Sequence, residues 1–144
     1  MKLRIKGNSL RLRITPSELN RLLETGRIEE TIHFASDGNA RLTYALEHMA
    51  ASEQAAASEQ AAASEQAGDR SAIHVRYSPQ EIAVVISSQD ARRWAGAPEV
   101  GLYGEVRTSH GALELAVEKD FACLDKNDAE NADTFPNPQQ GTVC

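Results

Sequence analysis

The chain has 144 residues and a formal charge of −6, with 15 Lys and Arg against 21 Asp and Glu, 41% hydrophobic residues and 5% aromatics. This length suits one modest domain. The net acidity argues against a general binder of nucleic acid or anionic membrane, because such binding depends on an excess or a cluster of Lys and Arg. Residues 1–6 alternate charged and apolar side chains and lack the apolar run of a signal peptide or a membrane helix. The sequence therefore predicts a soluble, cytoplasmic protein.

A low-complexity insert divides the chain. Residues 50–67 repeat Ala-Ser-Glu-Gln-Ala-Ala, and this period places equivalent side chains about 120° apart around a helix, so no apolar stripe forms. We predict a solvated helix or a flexible linker here. The single domain 1–144 is accordingly divided into a first half, 1–49, the insert, 50–67, a second half, 68–122, and an acidic, proline-containing tail, 123–144.

The first half begins with a predicted β-hairpin. Apolar residues alternate with charged ones on both sides of a tight turn at Gly7-Asn8. Thr15 and Glu18 form the pattern of a capping box, and Gly26 is placed to end the helix that follows. Two further strands are predicted over 28–34 and 41–47.

The second half repeats this order with strands over 73–77 and 82–86, a helix, and strands over 100–107 and 113–118. Trp94 and Tyr103 are predicted core residues. The sequence thus predicts an α+β protein of two strand-strand-helix-strand-strand halves, which form an antiparallel sheet or flattened barrel with helices on the outer face. Leu3, Ile5, Leu10, Leu12, Ile14, Leu22, Leu42, Leu46 and Glu47 are matched with Ile73, Val75, Ile82, Val84, Ile86, Trp94, Leu113, Val117 and Glu118.

Five cations share the polar face of the first hairpin. A two-residue turn sets basic side chains opposite one another across the strands, which is unfavourable unless anions neutralise them. One interpretation is an internal ladder of ion pairs or a solvated face. The other is a groove in which Lys and Arg hold a small anionic ligand, such as a phosphate or a carboxylate, or an acidic peptide. The predicted binding residues are Lys2, Arg4, Lys6, Arg11 and Arg13.

Three glutamates, Glu47, Glu114 and Glu118, are candidates to bind a divalent metal that bridges to phosphate oxygens. A duplicated scaffold with inward cations resembles, in architecture, the triphosphate tunnel enzymes of the CYTH superfamily. This resemblance implies a metal-dependent phosphohydrolase. The family carries Glu-x-Glu-x-Lys on its first strand, whereas this chain has Lys2-Leu3-Arg4-Ile5-Lys6, so phosphohydrolysis is kept as an alternative.

The C-terminal region contains two distinctive blocks, Glu-Lys-Asp-Phe-Ala-Cys at 118–123 and Asn-Ala-Asp-Thr-Phe-Pro-Asn-Pro at 131–138. With the opening hairpin, these blocks resemble a family of short, uncharacterised bacterial proteins, and the resemblance implies a bacterial origin without a known activity. Phe135 is predicted to fix the tail onto the core. Cys123 is predicted to be a buried structural cysteine, since no spacing with it or with Cys144 suggests zinc or a reactive thiol.

The leading hypothesis is a small, non-enzymatic binding module for an anionic ligand or an acidic protein segment. The alternatives are the metal-dependent phosphohydrolase and a protein-interaction domain whose open sheet edge pairs with a partner strand. A divalent metal is the cofactor of the second hypothesis alone. No nucleic-acid or membrane partner is predicted, and the oligomeric state is left open.

Overall fold

The structure is a computed structural model that describes residues 1–50, 73–123, 129 and 131–138. Apart from Ala50, the predicted insert lies outside the described residues, as does part of the predicted tail. The elements, in chain order, are β1 (Lys2–Lys6), β2 (Ser9–Ile14), α1 (Pro16–Thr25), β3 (Arg27–His33), β4 (Arg41–Met49), β5 (Ile73–Ser78), β6 (Glu81–Ser87), α2 (Ser88–Ala95), β7 (Gly101–Thr108) and β8 (Gly111–Lys119).

The α+β class and the duplicated halves are confirmed, and local signals explain both helices. The Thr15 side chain accepts a hydrogen bond from the Glu18 backbone N–H, and the Glu18 carboxylate accepts one from the Thr15 N–H, as a capping box requires. Gly26 ends α1 in the left-handed region at φ 82, which glycine adopts without steric cost. Ser87 caps α2 by accepting from the Asp90 N–H at 2.9 Å.

The strands form two four-stranded sheets, which we call sheet 1 (β1-β2-β8-β7) and sheet 2 (β3-β4-β6-β5). The outer pairs of each sheet are antiparallel hairpins, whereas the central pairs, β2 with β8 and β4 with β6, are parallel and join the two halves. The sheets therefore differ from the predicted antiparallel sheet or flattened barrel, and no closed barrel forms among the described strands. Each helix carries the chain from one sheet to the other, so the two hairpins of one half cannot pair with each other.

An approximate twofold relation exchanges the halves. Leu12 lies beside Val117 in sheet 1, and Val84 lies beside Leu46 in sheet 2. These registers confirm the predicted matches along the two central strands of each sheet. The registers place Glu118 of sheet 1 and Glu47 of sheet 2 at equivalent positions on the central strands.

The predicted match of β1 with β5 is wrong by two residues. Leu3 pairs with Leu12 and Val75 pairs with Val84, so Leu3 corresponds to Val75 and not to Ile73. The β1–β2 and β5–β6 hairpins both have two-residue turns, so the two hairpins align without an insertion.

One hydrophobic core is shared by the sheets and the helices. The apolar faces of both sheets and of both helices contribute to a single cluster, in which Leu22 and Trp94 are fully buried. α1 packs against β3 and β4, α2 packs against β4 and β6, and the two helices contact each other. The polar faces of the sheets point away from this core. Neither described helix is long and apolar enough to cross a membrane.

Because each sheet contains strands from both halves, we expect the molecule to unfold in one transition. Leu22→Ala, in the first half, should lower the free energy of unfolding by about 2–5 kcal/mol. Circular dichroism and the fluorescence of Trp94 should report the same loss of stability. Trp94 is the single tryptophan and lies in the second half. Ile5→Ala is the control, because Ile5 is exposed. A Trp94 transition that did not move with the Leu22→Ala change would contradict the shared core.

Candidate ligand-binding face

The polar face of sheet 1, which we call the open face, consists of three rows that run across the strands. Its cations lie on β1 and β2, and its acids and tyrosine lie on β8 and β7. In the order β1, β2, β8 and β7, the rows are Lys2, Arg13, Glu118 and Gly101; Arg4, Arg11, Ala116 and Tyr103; and Lys6, Ser9, Glu114 and Glu105.

The polar face of sheet 2, which we call the closed face, has the same three rows with different side chains. The twofold relation makes the two faces directly comparable, position by position. In the order β5, β6, β4 and β3, the rows are His74, Val85, Glu47 and Arg27; Arg76, Ala83, Ala45 and Glu29; and Ser78, Glu81, Thr43 and Thr31.

On the closed face, arginines from both edges meet over a floor of small side chains. Arg76 donates to both oxygens of Glu47, at 2.9 and 2.8 Å, and Arg27 donates to the same carboxylate. Both arginines also reach Glu81, at 3.1 Å from Arg27 and 3.2 Å from Arg76. Ala45 and Ala83 beneath them are fully buried.

These contacts control the ionisation of the closed face. Burial by itself would raise the pKa of Glu47, but the hydrogen bonds and charges of Arg76 and Arg27 outweigh it and hold the pKa below its ordinary value. The hydrogen bond from Arg27 is the main reason that the pKa of Glu81 is also lowered. The face is therefore neutralised by its own side chains.

On the open face, Glu118 is the counterpart of Glu47, and its carboxylate contacts different partners. Glu118 is 8% exposed and lies 3.6 Å from Arg11 and 3.4 Å from Arg13. The Tyr103 hydroxyl donates to it at 3.2 Å; burial of that hydroxyl and the Glu118 charge raise the pKa of Tyr103. Since two arginines share one carboxylate, this cluster keeps an excess positive charge. Lys2, the third paired cation, contacts Asp120.

The other two predicted cations, Arg4 and Lys6, form no ion pair through their side chains with any part of the chain that the structure describes. Arg4 occupies the position of Arg76, which reaches Glu81 on the closed face. On the open face, Ser9 stands at the position that Glu81 occupies on the closed face. The structure therefore brings the five predicted binding residues onto one face and leaves two of them without an ion pair to any described residue.

A cavity of about 250 Å³ lies on the open face, between β2 and β7. Arg11 and Ser9 line one side of it, and Tyr103, Glu105 and Glu114 line the other. The prediction that Tyr103 belongs to the core is wrong, because the residue is 61% exposed, whereas Trp94 is buried as predicted. Tyr103 alternates with Leu102 and Gly104 along β7, and this period of two places it on the polar side.

The three glutamates predicted to bind a metal are not brought together. Glu47 lies on the closed face with two arginines, whereas Glu114 and Glu118 lie on the open face, in rows that are separated by the Ala116 row. Among the described residues, no group of three or more His, Cys, Asp or Glu could hold a metal ion. A divalent metal at these residues stays a prediction.

The C-terminal segment adds contacts at the end of β2. The Phe135 and Phe121 rings lie 6.2 Å apart and the two residues form a backbone bridge, so Phe135 fixes this segment against the core cluster as predicted. Asp133 accepts hydrogen bonds from Ser17 in the first turn of α1. The prediction for Cys123 is wrong: this free cysteine is exposed, because it follows the last strand where the segment leaves the core. Cys144 lies outside the described residues.

Three residues that shape the faces were missed in the sequence analysis: Arg27, Arg76 and Gly101. Arg76 alternates with Val75 and Tyr77 in a predicted strand, and its equivalence to Arg4 becomes visible only with the corrected match. A Cβ atom at Gly101 would lie 2.5 Å from the Val117 carbonyl oxygen and 2.9 Å from the Glu118 Cγ atom. Gly101 therefore makes room for Glu118, at the position that Arg27 occupies on the closed face.

Comparison with known proteins agrees with the internal symmetry. A model of a family of unknown function (DUF7009) matches the chain twice, over residues 1–64 and 62–139. Each match covers one structural half and the neighbouring part of the insert. No curated protein and no solved structure matches the chain.

The lowered pKa of Glu47 predicts a pH-dependent stability. A carboxyl group whose pKa is lower in the folded state stabilises the fold above its unfolded pKa, and this contribution is lost as the pH falls through the folded value. We expect the free energy of unfolding to fall below about pH 4.5, the ordinary value for Glu. Glu47→Gln should cost about 1–3 kcal/mol at pH 7 and flatten the acid limb, as measured by urea denaturation from pH 3 to 7. Glu24→Gln, which replaces an exposed acid, should keep the full pH dependence, and an unchanged limb in Glu47→Gln would contradict the network.

The close approach at Gly101 predicts a steric cost for any side chain. Gly101→Ala should lower the free energy of unfolding by about 1–3 kcal/mol, because the added methyl group meets backbone that cannot move away. Gly96→Ala is the matched control, since the nearest atom to a Cβ there is 4.0 Å away. Equal stability of the two variants in chemical denaturation would show that Glu118 does not depend on this space.

Proposed function

The chain belongs to the family of unknown function DUF7009, and we propose that it is a small, non-enzymatic module that binds an anionic group on the open face. One observation carries the proposal. Arg4 has no anion beside it in the part of the chain that the structure describes, whereas the equivalent Arg76 is bound to two carboxylates. A ligand would supply the missing negative charge.

The closed face shows where that charge belongs. The Glu81 carboxylate accepts hydrogen bonds from Arg27 and Arg76, and its position is taken by Ser9 on the open face. The short Ser9 side chain leaves space that a carboxylate or phosphate of a ligand can fill. Arg4 and Lys6 would approach such a group from β1.

Arg11 supports the same position from β2, two residues along the strand from Ser9 and opposite Arg4. Its guanidinium is 41% exposed and contacts Glu118 at 3.6 Å, so part of its hydrogen-bonding capacity remains free. Guanidinium groups bind carboxylates and phosphates in a planar, often bidentate geometry. Because the site is open to solvent, the affinity should be modest and should weaken with added salt.

The remaining hypotheses are predictions. The tunnel-type phosphohydrolase needs its acids and cations in one site, and Glu47 lies on the opposite sheet from Glu114 and Glu118. The interaction domain would use the edge strands β1, β3, β5 or β7. An acidic peptide as the ligand, the bacterial origin and the cytoplasmic location are likewise predictions.

Ser9→Glu tests the proposal by giving the open face the acid that the closed face has. We expect the new carboxylate to pair with Arg4 and to weaken binding of phosphate and of succinate at least tenfold. Because it also lies beside Glu114 of β8, stability should stay within about 1 kcal/mol of the wild type. Amide chemical shifts in an NMR titration measure the binding. Ser36→Glu changes the charge equally in an exposed loop and should leave binding unchanged.

Arg4→Gln gives the complementary result, because it removes the unpaired cation without filling the site. Its binding of phosphate should fall at least tenfold while its stability stays near that of the wild type. Wild-type affinity in both Arg4→Gln and Ser9→Glu would overturn the proposal. The same titration with Mg²⁺ and tripolyphosphate, followed for release of phosphate, tests the phosphohydrolase: turnover would favour that alternative over the binding module.

A further inference from the structure

The cavity on the open face has walls of opposite charge. The wall formed by β2 carries Arg11 and Ser9, and the wall formed by β7 and β8 carries Glu105 and Glu114. Ala116 lies between the two walls, in register with Arg11 on one side and with Tyr103 on the other. Because the alanine side chain is short, a shallow trough lies between Arg11 and Tyr103, whereas Ser9 and Glu114 are direct neighbours in the adjacent row.

The acidic wall is not neutralised by the described residues around it. Glu105 and Glu114 lie directly opposite each other across β7 and β8, an arrangement in which two negative charges destabilise the pair. Arg107 lies 3.5 Å from Glu105, but this arginine is 84% exposed. Glu114 has no ion pair among the described residues. One negative charge is therefore left facing the cavity.

The separation of the two charged ends limits the size of the ligand. The proposed anion position lies over Ser9 on β2, and the acid pair lies between β8 and β7, one and a half strand spacings away, which corresponds to about 7 Å. The cavity volume, about 250 Å³, suits a small molecule. The Tyr103 ring, on the β7 wall of the cavity, offers an apolar surface to the middle of a ligand.

We propose that the ligand is a small zwitterion, with a carboxylate at one end and an amine or guanidinium at the other, joined by an apolar chain of about four to six atoms to match this spacing. The carboxylate would lie over Ser9 beside Arg4, and the cationic group would lie between Glu105 and Glu114. Amino acids with a long basic side chain and linear ω-amino acids belong to this class. This inference rests on the anion site proposed above and adds the second, cationic recognition point.

Three probes with six carbon atoms each separate the charge requirements. 6-Aminohexanoate carries both charges, adipate carries two negative charges, and hexane-1,6-diamine carries two positive charges. We expect 6-aminohexanoate to bind the full-length wild type at least tenfold more tightly than either of the other two, as measured by NMR titration. Adipate binding as tightly as 6-aminohexanoate would overturn the inference.

Glu114→Gln removes the acid that forms no ion pair within the described part of the chain, and because Glu114 is exposed the variant should fold normally. It should abolish the preference for 6-aminohexanoate over adipate and leave phosphate binding intact or stronger. Glu24→Gln, an equal change of charge on α1, should keep the preference. A preference that survived in Glu114→Gln and in Glu105→Gln would overturn the assignment of the cationic end.

The result for phosphate separates this inference from the proposed function. If the wild type binds phosphate through Arg4 but shows no preference for the zwitterion, the anion site stands and the zwitterion is excluded. If the wild type binds neither phosphate nor 6-aminohexanoate, the proposed function fails as well.

Discussion

The parallel pairing of central strands from opposite halves is the constraint on which the rest of the molecule depends. β2 can complete sheet 1 only with β8, and β4 can complete sheet 2 only with β6. The helices must then pack where the apolar faces of both sheets meet. The same pairing places Glu118 and Glu47 on central strands, where each is 8% exposed. A carboxylate that is so little exposed requires partners of opposite charge. Arginines on both polar faces form these ion pairs.

The two faces meet the requirement with different residues on an equivalent backbone. On the closed face, arginines from the sheet edges cover a floor of alanines and share their charge among several acids. On the open face an arginine, Arg11, stands in the floor itself, Ser9 replaces Glu81, and Gly101 replaces Arg27. Of the two equivalent sheets, one neutralises its own polar face, and the other has a cavity and side chains that form no ion pair among the described residues. Duplication allows this division because the two sheets share a backbone arrangement while their polar side chains differ.

Predictions from the sequence succeeded where a few neighbouring residues suffice. The hairpin register that sets Arg4 opposite Arg11, the capping box at Thr15 and the equivalence of Glu47 with Glu118 all follow from local spacing. They failed for the first-strand match, for exposed Tyr103 and for exposed Cys123. The period of two along β7 carried enough information to place Tyr103 on the polar side, whereas the exposure of Cys123 depends on how the C-terminal segment leaves the core.

By itself, the sequence determined the secondary structure, the duplication and the presence of five cations on one side of a hairpin, because hydrogen bonding in turns and caps and the alternation of side chains are local properties. Only the tertiary structure decided that the hairpins of each half separate into two sheets, that Glu118 and Asp120 form ion pairs with three of the cations, and that Arg4 and Lys6 remain without an acid from the described chain. These outcomes depend on strand contacts between residues about a hundred positions apart in the sequence, such as Arg13 and Glu118. Such contacts form only when the shared core packs, and no local pattern specifies them.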